Sequence, residues 1–282
     1  MDIGVGLPTC VPGCPPSFVT DWAAGADAGP FASVGTVDRL LYGNYDPLVA
    51  LAAAAAVTTR VRLVTSILIA PLREAATLAK QLATLDVVSG GRLTLGVGVG
   101  ARRDDYEVSE FGHAGRGARL DGLLHAVRTH WEDGRLGPQP SRASGPPMLM
   151  GGQSGPALAR MAAHADGYIH SGGPPRAFAN AAEQARSAWT DAGRPGQPQL
   201  WGMAYYALGD DDAAEAGRAY LRDYYAFTGP FAQRIADGLL TEPLGLREFL
   251  DGYADAGCDH LILFPTVADP SQLDLLANAA FD

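Results

Sequence analysis

The sequence predicts an α/β protein folded as a closed (β/α)8 TIM barrel, and three observations carry that expectation. Eight short apolar runs alternate with longer segments of helical periodicity. The runs are apolar at nearly every position, as in Leu63–Ile69 and Leu93–Val99, which suits parallel strands covered on both faces. The length, 282 residues, is ordinary for one such barrel. An open doubly wound sheet is the alternative; eight strand–helix units favour closure. The whole chain, residues 1–282, reads as one domain.

Taken in order, the first strand is Ile3–Leu7, closed by the proline-rich loop Pro8–Pro16, and the helix Phe18–Asp27 follows. The second strand spans Phe31–Val37. Asp46 then caps a helix that starts with Pro47 and runs through alanines to Val57. The third strand, Arg62–Ile69, leads to the helix Glu74–Val88, which ends at the Ser89-Gly90-Gly91-Arg92 turn. The fourth strand, Leu93–Val99, precedes the helix Arg116–Trp131 and a Gly/Pro-rich loop, Glu132–Pro147. Met148–Gly151 and the helix Gly155–Ala165 form the fifth unit, and Gly167–His170 with Pro175–Ala192 the sixth. Gln199–Leu208 and Asp211–Tyr224 form the seventh. Phe227–Leu240 reads as an extra helix or lid before the eighth unit. The helix Gly245–Ala256, the strand His260–Phe264 and a last helix near Pro270–Ala280 complete the chain.

Composition excludes several roles. The formal net charge is −10, Lys80 is the single lysine, and the arginines are dispersed. Such a chain has no electrostatic footprint for nucleic acid or an anionic membrane surface. The longest apolar run, Leu48–Val57, is too short to span a bilayer. Met1-Asp2 enters the first strand with no basic leader, so a cytoplasmic location is expected. Cys10, Cys14 and Cys258 lack paired metal-ligand spacing and read as reduced thiols; no metal is expected.

A barrel sorts these motifs by end, because βα loops form the active face and αβ loops hold the fold. The Ser89–Arg92 turn precedes a strand and lies at the bottom, where Asp86 and Arg92 are expected to form a structural ion pair. Lys80 reads as a surface or subunit-interface residue. On the active face, Asp38 follows the second strand, where its carboxylate can bond a ring N–H, orient a donor or pair with Arg39 or a nearby loop. Thr65 and Ser66 end the third strand and offer hydroxyls to a flat polar ring or to the backbone. Gly96, Gly98 and Gly100 mark a close approach of a ligand or of neighbouring chain; Arg103 stands where a dinucleotide fingerprint needs glycine. Arg102 and Arg103 can touch phosphate or pair with Asp104 and Asp105. The acidic run Asp104, Asp105 and Glu107 reads as a solvated loop.

Gly151-Gly152-Gln153-Ser154 is the best phosphate candidate, since it opens a helix whose first amides face outward. Ser154 also reads as a helix cap. His170 ends the sixth strand and is a candidate proton carrier, with a packed histidine as the alternative. Tyr205 and Tyr206 must point to opposite faces, so only one enters the barrel. No Ser–His–Asp set, zinc spacing or Walker loop is visible in the sequence.

Several of these segments together resemble the bacterial luciferase-like family of flavin- and deazaflavin-dependent oxidoreductases. They are Thr65-Ser66-Ile67, Ala79-Lys80 with Ala83-Thr84-Leu85-Asp86, Ser89-Gly90-Gly91-Arg92-Leu93, Leu95–Gly100 and Gly151–Ser154. Tyr45-Asp46-Pro47 and Ala165–Tyr168 add to the likeness, which runs from Ile3 to about Gly173 and more weakly beyond. The resemblance implies a barrel holding FMN or coenzyme F-420 at the strand C-termini. It also implies a cis peptide at Ser66-Ile67 behind the ring, and a dimer formed through the second and third helices. Two departures stand out: Asp38-Arg39 replaces a histidine of the luciferases, and Val99 stands near their phosphate-binding arginine. Light emission is therefore not expected, and the phosphate falls to Gly151–Gly155.

The resulting expectation is a two-component monooxygenase. Reduced FMN comes from a separate reductase, and a small organic substrate is oxidised with O2. Asp38 and His170 are the candidate catalytic residues; Thr65, Ser66, Gly98, Gly100, Gly151, Gly152, Gln153 and Ser154 are the candidate cofactor residues. A hydride-transferring F-420 enzyme is the second reading, and a non-catalytic flavin-binding protein the third.

Overall fold

The computed structural model describes residues 1–281. Eight parallel strands close in chain order: β1 (Asp2–Gly6), β2 (Ser33–Thr36), β3 (Arg62–Ile69), β4 (Leu93–Gly98), β5 (Met148–Gly151), β6 (Gly167–Ile169), β7 (Gln199–Tyr206) and β8 (His260–Pro265). β1 pairs with both β2 and β8, so the barrel has no free edge among the described residues. The helices are α1 (Phe18–Ala28), α2 (Pro47–Val57), α3 (Ala75–Val88), α4 (Arg103–Glu107), α5 (Arg116–Glu132), α6 (Gly155–His164), α7 (Pro175–Asp191), α8 (Asp211–Tyr224), α9 (Phe231–Asp237), α10 (Pro243–Asp255) and α11 (Ser271–Phe281). The expected (β/α)8 barrel is the fold.

The pleat divides the core into two layers. Val64, Leu149, Ile169, Trp201, Met203, Ile262 and Phe264 meet inside the barrel. Their neighbours Leu63, Leu68, Leu82, Leu95, Phe178 and Leu261 pack the strands against the helices. Each such large side chain contributes roughly 2 kcal/mol by leaving water. Gly6 is required by this packing, because an added Cβ would strike the ring of Phe264.

Local chemistry sets the helix starts. Asp46 Oδ1 accepts from the amides of Leu48 and Val49 at 2.9 and 3.1 Å, with Pro47 in the first turn of α2. The Glu74 carboxylate accepts from Ala76 and Thr77 and so stands just outside α3 as its cap.

The structure corrects one expectation at the barrel bottom. Arg92 does not pair with Asp86. Its guanidinium donates to the carbonyls of Thr58, Val61 and Ser89 and to Thr58 Oγ1, at 2.7–2.8 Å, which satisfies orphan carbonyls where α2 ends and β3 begins. Asp86 Oδ2 accepts instead from the Ser141 amide at 2.7 Å and fixes the long loop before β5.

Three helices lie between β7 and β8. α10 packs against α7 and α11 in the outer ring and serves as the crossover; α8 and α9 pack on each other. The extra segment expected at Phe227–Leu240 is present as α9 but begins earlier, with α8. This insertion reaches over the strand C-termini, where Tyr220 meets Cys10, Tyr224 meets Tyr42, and Tyr225 meets Tyr205. Among the described residues, no helix is long and apolar enough to cross a membrane.

Candidate active site

β3, β4 and β5 are neighbours in the barrel, so the third, fourth and fifth βα junctions lie side by side. The Ser66–Ile67 peptide is cis, and the β3–β4 register shifts between Thr65 and Leu68. Ser66 is buried, and its Oγ has no hydrogen-bond partner. Thr65 differs: its hydroxyl donates to the Gly96 carbonyl at 2.7 Å and belongs to the sheet.

The glycines beside them make room for Ile67. An added Cβ at Gly98 would stand 3.0 Å from Ile67 Cδ1, and one at Gly151 would stand 3.1 Å from Ile67 Cγ2. Together these residues form a flat apolar wall with one orphaned hydroxyl at its edge. Gly100 has φ +67°, a conformation side chains resist, and turns the chain out of β4.

Gly152, Gln153 and Ser154 are exposed at the start of α6. Ser154 caps that helix, its Oγ accepting from Ala157 N at 3.4 Å. The amides of Gln153 and Ser154 bond no acceptor among the described residues. Two free N–H groups at a helix N-terminus suit an anion such as phosphate.

Asp38 does not pair with Arg39, which bonds Asp104 and Asp105; it takes the other structural alternative, a bond to the neighbouring loop. Its Oδ2 accepts from the Ile69 amide at 2.9 Å, and Arg73 Nη2 stands 3.3 Å away. Burial raises its pKa, and Arg73 opposes that rise. Asp38 therefore anchors the exit of β3 to the end of β2. Arg73 also bonds Asp46 at 2.9 Å.

His170 does not join Asp38. β6 stands opposite β2 in the closed order, and Ile169, not His170, points into the barrel. The imidazole packs edge-on against Phe178 of α7 and beside Tyr168, with Gln153 Nε2 at 3.1 Å from its Nε2. Burial pushes its pKa down to about 4, so the ring is neutral at pH 7.

The acidic run after β4 is a second correction. Asp105 is fully buried on α4 rather than solvated. It accepts from Arg39 Nε at 2.7 Å and from the amides of Leu40 and Leu41 at 3.0 and 2.7 Å. This buried pair ties the β4 exit to the β2 exit. Five residues are too few to display helical periodicity, so the sequence carried no signal of α4.

Sequence reasoning expected a lid at Phe227–Leu240 but missed Tyr220, Tyr224 and Tyr225, which carry its contacts to the barrel. The Tyr220 hydroxyl donates to Cys10 Sγ at 3.1 Å, and burial pushes the Cys10 thiol up to about 11. Tyr205 and Tyr225 share a hydrogen bond at 2.7 Å. Tyr205 belongs to the inner layer, while Tyr206 points outward and donates to the Gln272 carbonyl. Arg102 lies 4.2 Å from the ring centres of both Tyr224 and Phe227.

At the opposite end the fold assembles a serine, a histidine and an aspartate. Ser33 Oγ is 2.7 Å from His260 Nε2, and His260 Nδ1 is 3.7 Å from Asp2 Oδ2. Ser33 is fully buried and Trp201 stacks on His260 at 4.0 Å, so no substrate reaches the hydroxyl. The set plugs the barrel floor. Two clefts lie elsewhere: one of about 340 Å³ at the floor beside Trp131 and Asp166, and one of about 250 Å³ between α6 and α7, beside Tyr168 and bordered by Gln153.

Comparison with known proteins agrees with the barrel fold. A model of the family described as luciferase-like monooxygenase matches residues 1–254. An uncharacterised protein of Mycobacterium tuberculosis strain H37Rv is 37% identical over 144 residues, covering 46% of this chain and 49% of that protein. A second protein of that strain is 32% identical over 171 residues, covering 55% of this chain and 60% of that one. The matched part thus spans about half the length of these curated relatives. The monooxygenase RslO1 from Streptomyces bottropensis has a similar structure (TM-score 0.78, 24% identity, 99% of this chain and 98% of that one). So does an F-420-dependent secondary alcohol dehydrogenase solved with an F-420–acetone adduct (TM-score 0.84, 17% identity, 100% and 99%). At such identities the likeness to these structures is one of fold. The resemblance first carried by the Ser89–Leu93 turn and the Leu95–Gly100 run extends through most of the sequence, and the chain belongs to the luciferase-like monooxygenase family of oxidoreductases.

Proposed function

We propose that the protein is a two-component flavin monooxygenase acting on a small organic substrate. The observation that carries this reading is the orphaned Ser66 hydroxyl at the edge of the Ile67-backed wall, with the free amides of Gln153 and Ser154 two strands away on the same face of the barrel. A planar polar ring with a phosphate tail matches that donor set. Reduced FMN, delivered by a separate reductase, supplies the electrons with which O2 is activated.

The chain's own residues bind, orient and exclude water. Ile67 backs the ring, and Ser66 Oγ bonds its polar edge. Gly98 and Gly151 keep the wall flat, and Gly100 and Gly152 carry the two turns around it. The Gln153 and Ser154 amides, at the positive end of α6, hold the phosphate. Thr65 acts through the sheet, by fixing β3 to Gly96. Asp38 is a positioning residue that sets the β3 exit through Ile69 N. His170 positions Gln153 through its ring nitrogen. The α8–α9 insertion covers the mouth and keeps bulk water from the reaction.

Hydride transfer with coenzyme F-420 is the second reading, favoured by the TM-score of 0.84 to the F-420-dependent alcohol dehydrogenase. The net charge of −10 favours FMN, because the polyanionic tail of F-420 calls for a basic groove. A homodimer is supported by α2, which is apolar all round yet leaves Val49, Ala52, Ala56 and Val57 exposed. Light scattering is expected to give twice the chain mass; a monomer at micromolar concentration contradicts the dimer.

Anaerobic fluorescence titration with reduced FMN and reduced F-420 tests the function. Saturable FMN binding, followed on aeration by oxygen uptake that a substrate couples to product, is expected. Binding of F-420 alone moves the protein to the second reading. Flavin binding without turnover under any donor leaves only a carrier, and binding of neither rejects the proposal.

A further inference from the structure

We propose that Arg102 is a specificity residue for an anionic substrate, receiving the carboxylate of an organic acid whose apolar body lies under the α8–α9 cover. The proposal rests on the active-face reading above and adds a substrate class to it.

Arg39 and Arg102 are the two buried arginines among the described residues, and they differ in one respect. Arg39 is neutralised by Asp105 at 2.7 Å and Asp104 at 3.2 Å. Arg102, only 9% exposed, has no carboxylate within ion-pair distance and no hydrogen-bond acceptor among the described residues. Each half-buried arginine, by contrast, bonds a carboxylate or a carbonyl, as Arg73, Arg92, Arg160 and Arg194 do.

The acids that follow Arg102 in sequence, and the one that precedes Tyr224, are engaged elsewhere. Asp104 and Asp105 hold Arg39, and Asp223 accepts from the Tyr42 hydroxyl at 2.9 Å. What surrounds the guanidinium is aromatic: Tyr224 and Phe227 at 4.2 Å, Tyr225 at 5.7 Å. Ring faces attract the cation and hold its plane, but they accept none of its five N–H bonds. The Arg102 nitrogens keep a sliver of surface, so water meets them, and a carboxylate that displaces that water finds donors taken by no protein acceptor among the described residues. A second unmet donor stands close by. Arg39 Nη1 is buried without a partner, and its guanidinium lies 5.8 Å from the same Tyr224 ring.

Position separates this site from the phosphate loop. Arg102 leaves β4 toward Tyr224 and Phe227 of the cover, on the side where Tyr42 arrives from β2. The free amides of Gln153 and Ser154 lie at the start of α6, after β5. The planar fork of Arg102 suits a carboxylate bound through both oxygens. Tyr225, Phe227 and the exposed Leu40 and Leu41 offer apolar surface to the rest of the molecule.

Benzoate and its uncharged analogue benzamide are the probes, titrated calorimetrically into the full chain with and without bound FMN. Wild type is expected to prefer benzoate at least tenfold. Arg102→Gln is expected to abolish that preference, and Arg102→Lys to retain part of it, with FMN affinity changed less than twofold in both. Equal binding of benzoate and benzamide by wild type overturns the proposal whether or not the variants fold. So does a preference that survives Arg102→Gln in a folded variant. A tenfold loss of FMN affinity with riboflavin affinity unchanged also overturns it, because Arg102 then holds cofactor phosphate. Failure of FMN to bind wild type while the benzoate preference stands sinks the flavin reading alone.

Discussion

Ser66 illustrates how one side chain carries the residue-scale account. Its hydroxyl is buried and unpartnered, a condition that lowers stability until a ligand bonds it. Ser66→Ala is therefore expected to leave the melting temperature unchanged or slightly raised while weakening FMN binding about fivefold, from a hydrogen bond of about 1 kcal/mol. Thermal melts and fluorescence titration check both halves; an unchanged FMN affinity contradicts the assignment. Two buried histidines give a second residue-scale prediction. Burial holds both His170 and His260 down to about 4, below their ordinary 6.5. Above pH 6.5 they are neutral in both the folded and unfolded chain. Between pH 6.5 and 4 the unfolded chain binds protons that the folded one refuses, so stability falls as pH falls, by about 3 kcal/mol for each ring. Urea unfolding at pH 7.0 and 4.5 is expected to show that loss, and His260→Gln to reduce it; equal stability at the two pH values contradicts it.

At the scale of elements, most strands were legible because burial on both faces writes a continuous apolar run. Arg62–Ile69 and Met148–Gly151 have the bounds the sequence suggests. The start of α2 was legible because Asp46 and Pro47 carry the capping chemistry themselves. What sequence could not carry was partnership. Asp86 and Arg92 are close in sequence and opposite in charge, yet each bonds backbone from a different segment. A double-mutant cycle on Asp86→Asn and Arg92→Met is expected to give a coupling near zero, while Arg92→Met alone costs about 2–4 kcal/mol through carbonyls left unmet. A coupling above about 1 kcal/mol would restore the ion pair. α8 and α10 have the same periodicity, and only their contacts tell the cover from the crossover.

For the whole molecule, barrel order accounts for which candidates meet. Ser66, Gly98, Gly151 and the α6 amides converge because β3, β4 and β5 are neighbours, and the sequence pointed to each of them. Asp38 and His170 do not converge, since β2 and β6 are opposite and each side chain is held by its own partners. A lid at Phe227–Leu240 and an anion-binding Arg102 were legible separately; the tyrosines of the cover and the seating of Arg102 against them were not, because both depend on an insertion folding back over the mouth. The Ser33–His260–Asp2 set shows the converse: a serine–histidine bond of 2.7 Å at a floor no substrate enters, with Asp2 at 3.7 Å, too far to bond the ring.

A crystal structure of the full chain with FMN tests the central claim most directly. The account predicts the ring against Ile67, within hydrogen-bond reach of Ser66 Oγ, with the phosphate on the Gln153 and Ser154 amides. Flavin density in the α6–α7 cleft or at the barrel floor, with the β3–β5 junctions closed by protein side chains, would contradict it.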